Sequence, residues 1–190
     1  ISQETIVVDI NGNGDYTSIK EAITNADPTN IILIQKGIYN EHAIEVNKKV
    51  EIIGEDSSNT IIKCSGNLGL ILDSTYVDIS NLQIINTGEY AISILPESGG
   101  CTISNCVINT LNKGVAIDIR SSYNSVSDCS LSGFNRNKQG IKIHGSNNNV
   151  KNCNINDFSN GIFAGNLASW NEHIHFDAIA GKNVKNDEAK

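Results

Sequence analysis

The chain has 190 residues, a formal net charge of −7, 39% hydrophobic residues and 5% aromatic residues. That is one domain's worth of chain with enough apolar content for a continuous core, and its acidity excludes a general binder of nucleic acid or of acidic membranes. No run approaches the roughly 18 apolar residues of a membrane span and no basic-then-apolar leader stands at Ile1, so membrane insertion is not expected. A start at Ile1 rather than Met is what a processed secreted chain or an excised segment would show, and the sequence leaves both open.

The first element is a strand, Thr5-Ile6-Val7-Val8-Asp9-Ile10, followed by a tight turn at Asn11-Gly12-Asn13-Gly14-Asp15. A short helix is expected over about 17–26: Ser18 and Glu21 form a capping box, Ile19, Ala22 and Ile23 share one face, and Pro28 lies beyond the end. Strands then follow closely at Ile31–Ile34, Gly37–Glu41, Ala43–Val46, Val50–Gly54, Thr60–Lys63 and Gly69–Asp73.

From Tyr76 to Gly165 one pattern returns four times: Ile79-Ser80-Asn81-Leu82, Ile103-Ser104-Asn105-Cys106, Val126-Ser127-Asp128-Cys129 and Val150-Lys151-Asn152-Cys153, at spacings of 24, 23 and 24 residues. A second pattern runs alongside it, in Ala91–Ile94, Ala116–Ile119, Gly140–Ile143 and Gly161–Ala164. A fixed period of this length filled with short alternating strands predicts a β-solenoid, each repeat being one coil. Stacked parallel strands lie about 4.8 Å apart, so equivalent residues form ladders along the axis. Leu82, Cys106, Cys129 and Cys153 make an inward ladder; Asn81, Asn105, Asp128 and Asn152 make an asparagine-rich ladder at a corner, where side-chain amides can bond backbone groups the bend leaves unpaired. The helix is then expected to plug the open first coil. The 27 asparagines, 16 glycines and two prolines suit so many tight turns.

Five cysteines, three of them on the inward ladder, read as small apolar residues with free thiols rather than as a disulfide framework. Charge is unevenly spread. Between Lys113 and Lys151 six basic residues face two acids, a local +4 against −11 elsewhere, and both arginines, Arg120 and Arg136, lie in that window.

The Gly-Asn-Gly-Asp-Tyr turn, the Thr-Ser-Ile-Lys-Glu-Ala-Ile helix, the Gly-x-Tyr-x-Glu at Gly37–Glu41 and the following Val-Glu-Ile-Ile-Gly resemble the N-terminal region of pectin methylesterases. More broadly, residues 5–165 are similar to right-handed parallel β-helix proteins of the pectin-lyase-like superfamily. The resemblance implies an all-β, right-handed single-stranded parallel β-helix over 1–165, capped by the helix, with 166–190 as a capping strand and polar tail. It does not extend to activity. The esterases' Gln-Ala-Val, Gln-Asp-Thr, Asp-Phe-Ile-Phe-Gly and Leu-Gly-Arg-Pro-Trp segments are missing here, so methylesterase activity is not expected and the shared segment reads as capping architecture.

In superfamily members that degrade acidic polysaccharides, substrate lies outside the strand that here is Ala-Ile-Asp-Ile-Arg. Its outward rows are Ile71, Ser93, Asp118, Lys142, Phe163 and Asp73, Leu95, Arg120, His144, Gly165. Asp118 is expected beside Lys142 and Arg120 beside His144, bordered by the loops carrying Lys113, Arg136 and Lys138. Such a cluster could bind an anionic glycan and support β-elimination from a uronate, with Lys142 or Arg120 as base and Asp118 and Asp73 orienting it or holding Ca²⁺. The same residues would serve as a cross-coil salt-bridge ladder on an exposed sheet. No other cofactor is implied. Near the end, His173, His175 and Asp177 alternate on one strand face; the pattern reads first as the solvated face of a last strand or terminal cap, although the same three residues could ligate zinc or iron. Two functions remain in play: a secreted or surface protein that engages an anionic polysaccharide, and a non-catalytic structural or adhesive rod of a cell envelope or virion spike, self-associating into a homo-oligomer.

Overall fold

The computed structural model describes residues 3–112 and 114–165, with the backbone alone for 135–138, 174–175 and 185–186. After β1 (Thr5–Val8) comes α1 (Ile19–Asn25), and the chain then winds in coils of three strands. The first coils are β2 (Ile31–Ile34), β3 (Gly37–Asn40), β4 (Ile44–Val46), then β5 (Glu51–Gly54), β6 (Thr60–Cys64), β7 (Leu68–Leu72). Next are β8 (Asp78–Ser80), β9 (Gln83–Asn86), β10 (Tyr90–Ile94), then β11 (Thr102–Ser104), β12 (Val107–Thr110), β13 (Val115–Ile119). Further on, β14 (Ser125–Ser127) leads into β15 (Ser130–Ile143), β16 (Asn149–Lys151) into β17 (Asn154–Ala164), and the pairs β18 (Ile174–His175) and β19 (Lys185–Asn186) follow.

All pairing is parallel. One sheet runs β1-β2-β5-β8-β11-β14-β16-β18; the second and third faces are joined into one sheet because β15, 14 residues long, turns the corner and pairs with both β12 and β13. This is an all-β parallel β-solenoid of about 6 turns, with one short helix among the described residues. No helix among the described residues is long and apolar enough to cross a membrane.

Each face contributes an aliphatic ladder to the core, and the third face a second one, Val46, Leu72, Ile94, Ile119 and Ile143. Ile32, Ile52, Ile79, Ile103, Val126 and Val150 are in register on the first face. Ile62, Ile84, Ile108, Leu131 and Ile155 follow on the second, and Ile44, Leu70, Ile92, Ile117, Ile141 and Ile162 on the third. All are buried, and each is worth about 1.5–3 kcal/mol of apolar transfer. The corner residues Asn81, Asn105, Asp128 and Asn152 adopt the left-handed conformation (φ 51° to 56°), which Asn and Asp tolerate better than other side-chain-bearing residues. Their side chains do less than the sequence suggests. The corner N–H groups of Asn81, Asn105 and Asp128 donate to carbonyls of the next coil, and Asn152 Nδ2 donates to Asp128 Oδ1 at 3.0 Å. Amides that bond buried backbone stand at the preceding corner instead: Asn124 Oδ1 accepts from Cys101 N, and Asn148 Oδ1 accepts from Asn124 N.

The N-terminal segment closes the first coil by specific contacts. Ser18 Oγ accepts from Glu21 N, and Ile19, Ala22 and Ile23 are buried, as the capping pattern requires. The reciprocal half of the capping box is replaced. Glu41 accepts from Ile19 N (2.7 Å) and Lys20 N (3.0 Å), placing a carboxylate on the helix N-terminus, while Lys48 Nζ donates to the Thr24 and Ala26 carbonyls at the other end. Tyr39, fully buried, has its hydroxyl 3.1 Å from Val8 O and 3.0 Å from Gln35 O. Thus Gly-x-Tyr-x-Glu is a tie between β3 and the cap. The outer edge of β1 is also occupied: Val7 N donates to Asp15 Oδ2, and Val7 O accepts from Asp15 N and Tyr16 N. Glu41→Ala should lower stability by about 1–2 kcal/mol, read as a fall in Tm, with Glu41→Gln recovering part of it because the amide oxygen still accepts.

All five cysteines are free and buried. Burial pushes the Cys64 thiol up to about 12, and the stacked Cys106 thiol, with burial, does the same for Cys129. Thiolate is the reactive form. Cys106 goes the other way, its titration pulled down by the Cys129 thiol, but it is as inaccessible as the rest. Burial should therefore leave an aromatic disulfide reagent uncoloured by the folded protein at neutral pH, with reaction at all five positions once denatured; rapid native reaction at any of them would contradict this burial.

Candidate ligand-binding face

In β13 the residues Ile117 and Ile119 point into the core, which turns Asp118 outward between them. It is nonetheless fully buried. Arg120, two residues on and on the same face, lies back along its own strand, its Nε 2.6 Å from Asp118 Oδ2 and its guanidinium 5.5 Å from the centre of the Tyr90 ring. From the next coil His144 brings Nε2 to 3.4 Å from Asp118 Oδ1, an oxygen that accepts no hydrogen bond of good geometry. The carboxylate is therefore roofed by one cation and one imidazole, both more than a third exposed themselves.

Burial of an ionised carboxylate is tolerable only with a partner. The Asp118 hydrogen bond pushes the Arg120 guanidinium above its ordinary range, against the opposing effect of its own burial. Burial, with the nearby Glu89, pushes the Tyr90 hydroxyl up as well.

The expected registers hold: Asp118 pairs with Lys142, and His144 N donates to Ile119 O, which sets His144 beside Arg120. Ion pairing takes a different route. Among the described residues Asp118 engages Arg120 and His144, not Lys142, so an exposed ladder of rungs between neighbours becomes one buried carboxylate held across two coils. Lys142 stands half-buried on the same face. Asp73 is exposed, two rows below Arg120, about 9.6 Å away by backbone spacing, and so outside the cluster.

Lys113, His173 and Asp177 lie outside the described residues, as do the side chains of Arg136, Lys138 and His175; the backbone of His175 pairs with Lys151. Among the described residues no three His, Cys, Asp or Glu side chains are grouped to hold a metal ion. One contributor escapes the sequence reading: Tyr90 carries only a weak signal, an aromatic where the register has Val115 and then Gln139. Ser93 stands beside Asp118 in the outward row as expected, but it is buried.

Residues 68–178 match the family described as "Right handed beta helix region". The chain belongs to this family. No curated protein matches the sequence. Among solved structures, this β-helix protein is similar to the pectin methylesterase from carrot, with a TM-score of 0.49 and 13% identity over 93% of this chain and 78% of that one. A pectin methylesterase mutant in complex with a hexasaccharide aligns with a TM-score of 0.55 and 12% identity, covering 90% and 82%. At such identities the likeness is one of fold.

The roof over Asp118 makes an asymmetric prediction. Arg120→Ala leaves a carboxylate buried with only His144 beside it, whereas Asp118→Ala leaves an arginine free to swing into water. The first should cost roughly 2–4 kcal/mol and the second about 1 kcal/mol by denaturant unfolding; equal costs would show that the pair is not what buries Asp118.

Proposed function

We propose that this β-helix protein binds an anionic polysaccharide across the Tyr90, Arg120, Lys142 and His144 face, outside the cell or on a cell or virion surface. The observation that carries the reading is the preorganisation of Arg120: it and Lys142 stand on adjacent coils of one sheet face, and Arg120 is held in place by a carboxylate removed from solvent. An anion meeting this face finds donors already oriented, which lowers the ordering cost of binding. A guanidinium has five donors and only Nε is committed to Asp118 in the contact described. A pectin methylesterase of similar fold has been crystallised with a hexasaccharide; the assignment here rests on this chain's own residues.

One contact favours cleavage in addition to binding. His144 Nε2 lies 3.4 Å from Asp118 Oδ1, a contact that orients the imidazole on the face. In β-elimination a base removes the proton α to the uronate carboxylate, the carbon–oxygen bond to the leaving sugar breaks as the double bond forms, and the leaving oxygen takes a proton. Arg120 would neutralise the uronate carboxylate; held by Asp118, it suits that role better than the role of base, which falls to His144 or Lys142.

Retention on pectate, alginate and a glycosaminoglycan tests the binding. Lys142→Ala should weaken retention about tenfold, equivalent to about 1.4 kcal/mol, and lose the salt dependence associated with one contact, without lowering Tm. Unsaturated-uronate absorbance, followed with and without Ca²⁺, reports cleavage, and its loss in His144→Ala or Lys142→Ala identifies the base. Undiminished retention by Lys142→Ala, or no retention by the unaltered protein, would shift the reading to a structural rod.

A further inference from the structure

The corner between the third and first faces carries a row of residues one coil apart: Lys49, Tyr76, Gly100, Tyr123 and Asn147. Tyr76 (φ 56°), Gly100 (φ 75°), Tyr123 (φ 65°) and Asn147 (φ 56°) all adopt the left-handed backbone conformation. Glycine and asparagine fit it cheaply, while a bulky side chain there is an outlier. The tyrosines gain little burial in exchange, being 59% and 71% exposed. Two left-handed tyrosines left mostly in solvent point to a role outside the fold.

The geometry around them is specific. A Cβ at Gly100 would stand 2.7 Å from Cδ1 and Cε1 of Tyr76, so the Tyr76 ring lies across the place where a side chain of the next coil would rise. Only glycine admits this. Tyr123 follows two coils above Tyr76, about 9.6 Å along the axis. Beside Tyr76 opens a hollow of ≈ 220 Å³ bordered by Thr29, Lys49, Glu51 and Asp78, with the Lys49 ammonium 5.4 Å from the ring centre.

We infer that this edge is a second glycan site, which takes an uncharged, extended β-linked sugar chain lying parallel to the helix axis. Pyranose rings present apolar C–H faces that stack on aromatic rings, and an extended chain offers an equivalent face about every second sugar, a distance comparable with two coils. Glu51 and Asp78, in register on adjacent coils, supply acceptors for sugar hydroxyls and outnumber the single Lys49 ammonium beside the ring, a balance that disfavours a polyanion. The site is independent of the anion-binding face, sharing no residue with it.

Titration calorimetry with cellohexaose, chitohexaose and an oligogalacturonate decides the matter. Tyr76→Asn and Tyr123→Asn suit the left-handed backbone better than tyrosine, so both variants should fold with unchanged or higher Tm. Each should weaken binding of an uncharged hexasaccharide about tenfold and the pair about a hundredfold, with Lys142→Ala leaving it unaltered. Equal affinity in the double tyrosine variant overturns the inference, as does absence of binding to either uncharged chain. Binding of the acidic oligosaccharide alone, lost in the tyrosine variants, overturns the assignment to uncharged sugars.

Discussion

Parallel pairing between successive coils is the constraint on which everything else depends. A single turn of this chain has neither a closed backbone nor a core; its N–H and C=O groups are satisfied by the coils above and below. Once one coil is laid on another, the side chain at each position must accept the company of its counterpart. Aliphatic residues therefore recur at Ile79, Ile103, Val126 and Val150, and residues tolerant of a left-handed backbone recur at Asn81, Asn105, Asp128 and Asn152. Stacking also explains the buried thiols, which occupy inward positions at a corner where a small apolar group fits between neighbours.

The same rule shapes the chemistry. A solenoid face brings residues distant in sequence within about 5 Å, and so can assemble a charge cluster from one strand and its neighbour without any loop. Alignment alone would set Asp118 against Lys142 as an ordinary surface rung. Local geometry prevails instead: Arg120 is on the same strand face two residues away, its stem can lie along the sheet, and the Tyr90 ring receives its guanidinium. The outcome is a buried anion beneath exposed donors, an arrangement suited to holding a ligand's negative charge at a fixed place.

How much of this is legible in the sequence differs by level. The coil period, the inward aliphatics and the helix face can all be read, because each follows from repetition or from alternation within a few residues. Register follows as well, so Asp118, Arg120, Lys142 and His144 can be assigned to one face. What escapes is side-chain trajectory. Alternation says that Asp118 points outward but not that Arg120 folds over it, nor that Tyr90 supplies the ring against which it rests. Likewise the Ser18–Glu21 pattern locates α1, while its anchoring by Glu41 and Lys48 depends on contacts across more than twenty residues of chain. Tyr76 and Tyr123 look like isolated surface aromatics until the fold places them, with Gly100 between, on one edge.

The treatment of β1 has a consequence for how copies of this protein meet. A bare end of stacked parallel strands is a template, and two such molecules could continue one another into a fibre. Here the Val7 amide and carbonyl are both engaged by Asp15 and Tyr16 of the same chain, and α1 lies across the core beside them. A passing strand would find no free donor on that residue and would have to displace the turn before it could pair. The seed for self-propagation is thus spent inside the molecule, and elongation at Val7 is blocked for as long as the Asp15–Tyr16 turn stays docked on it.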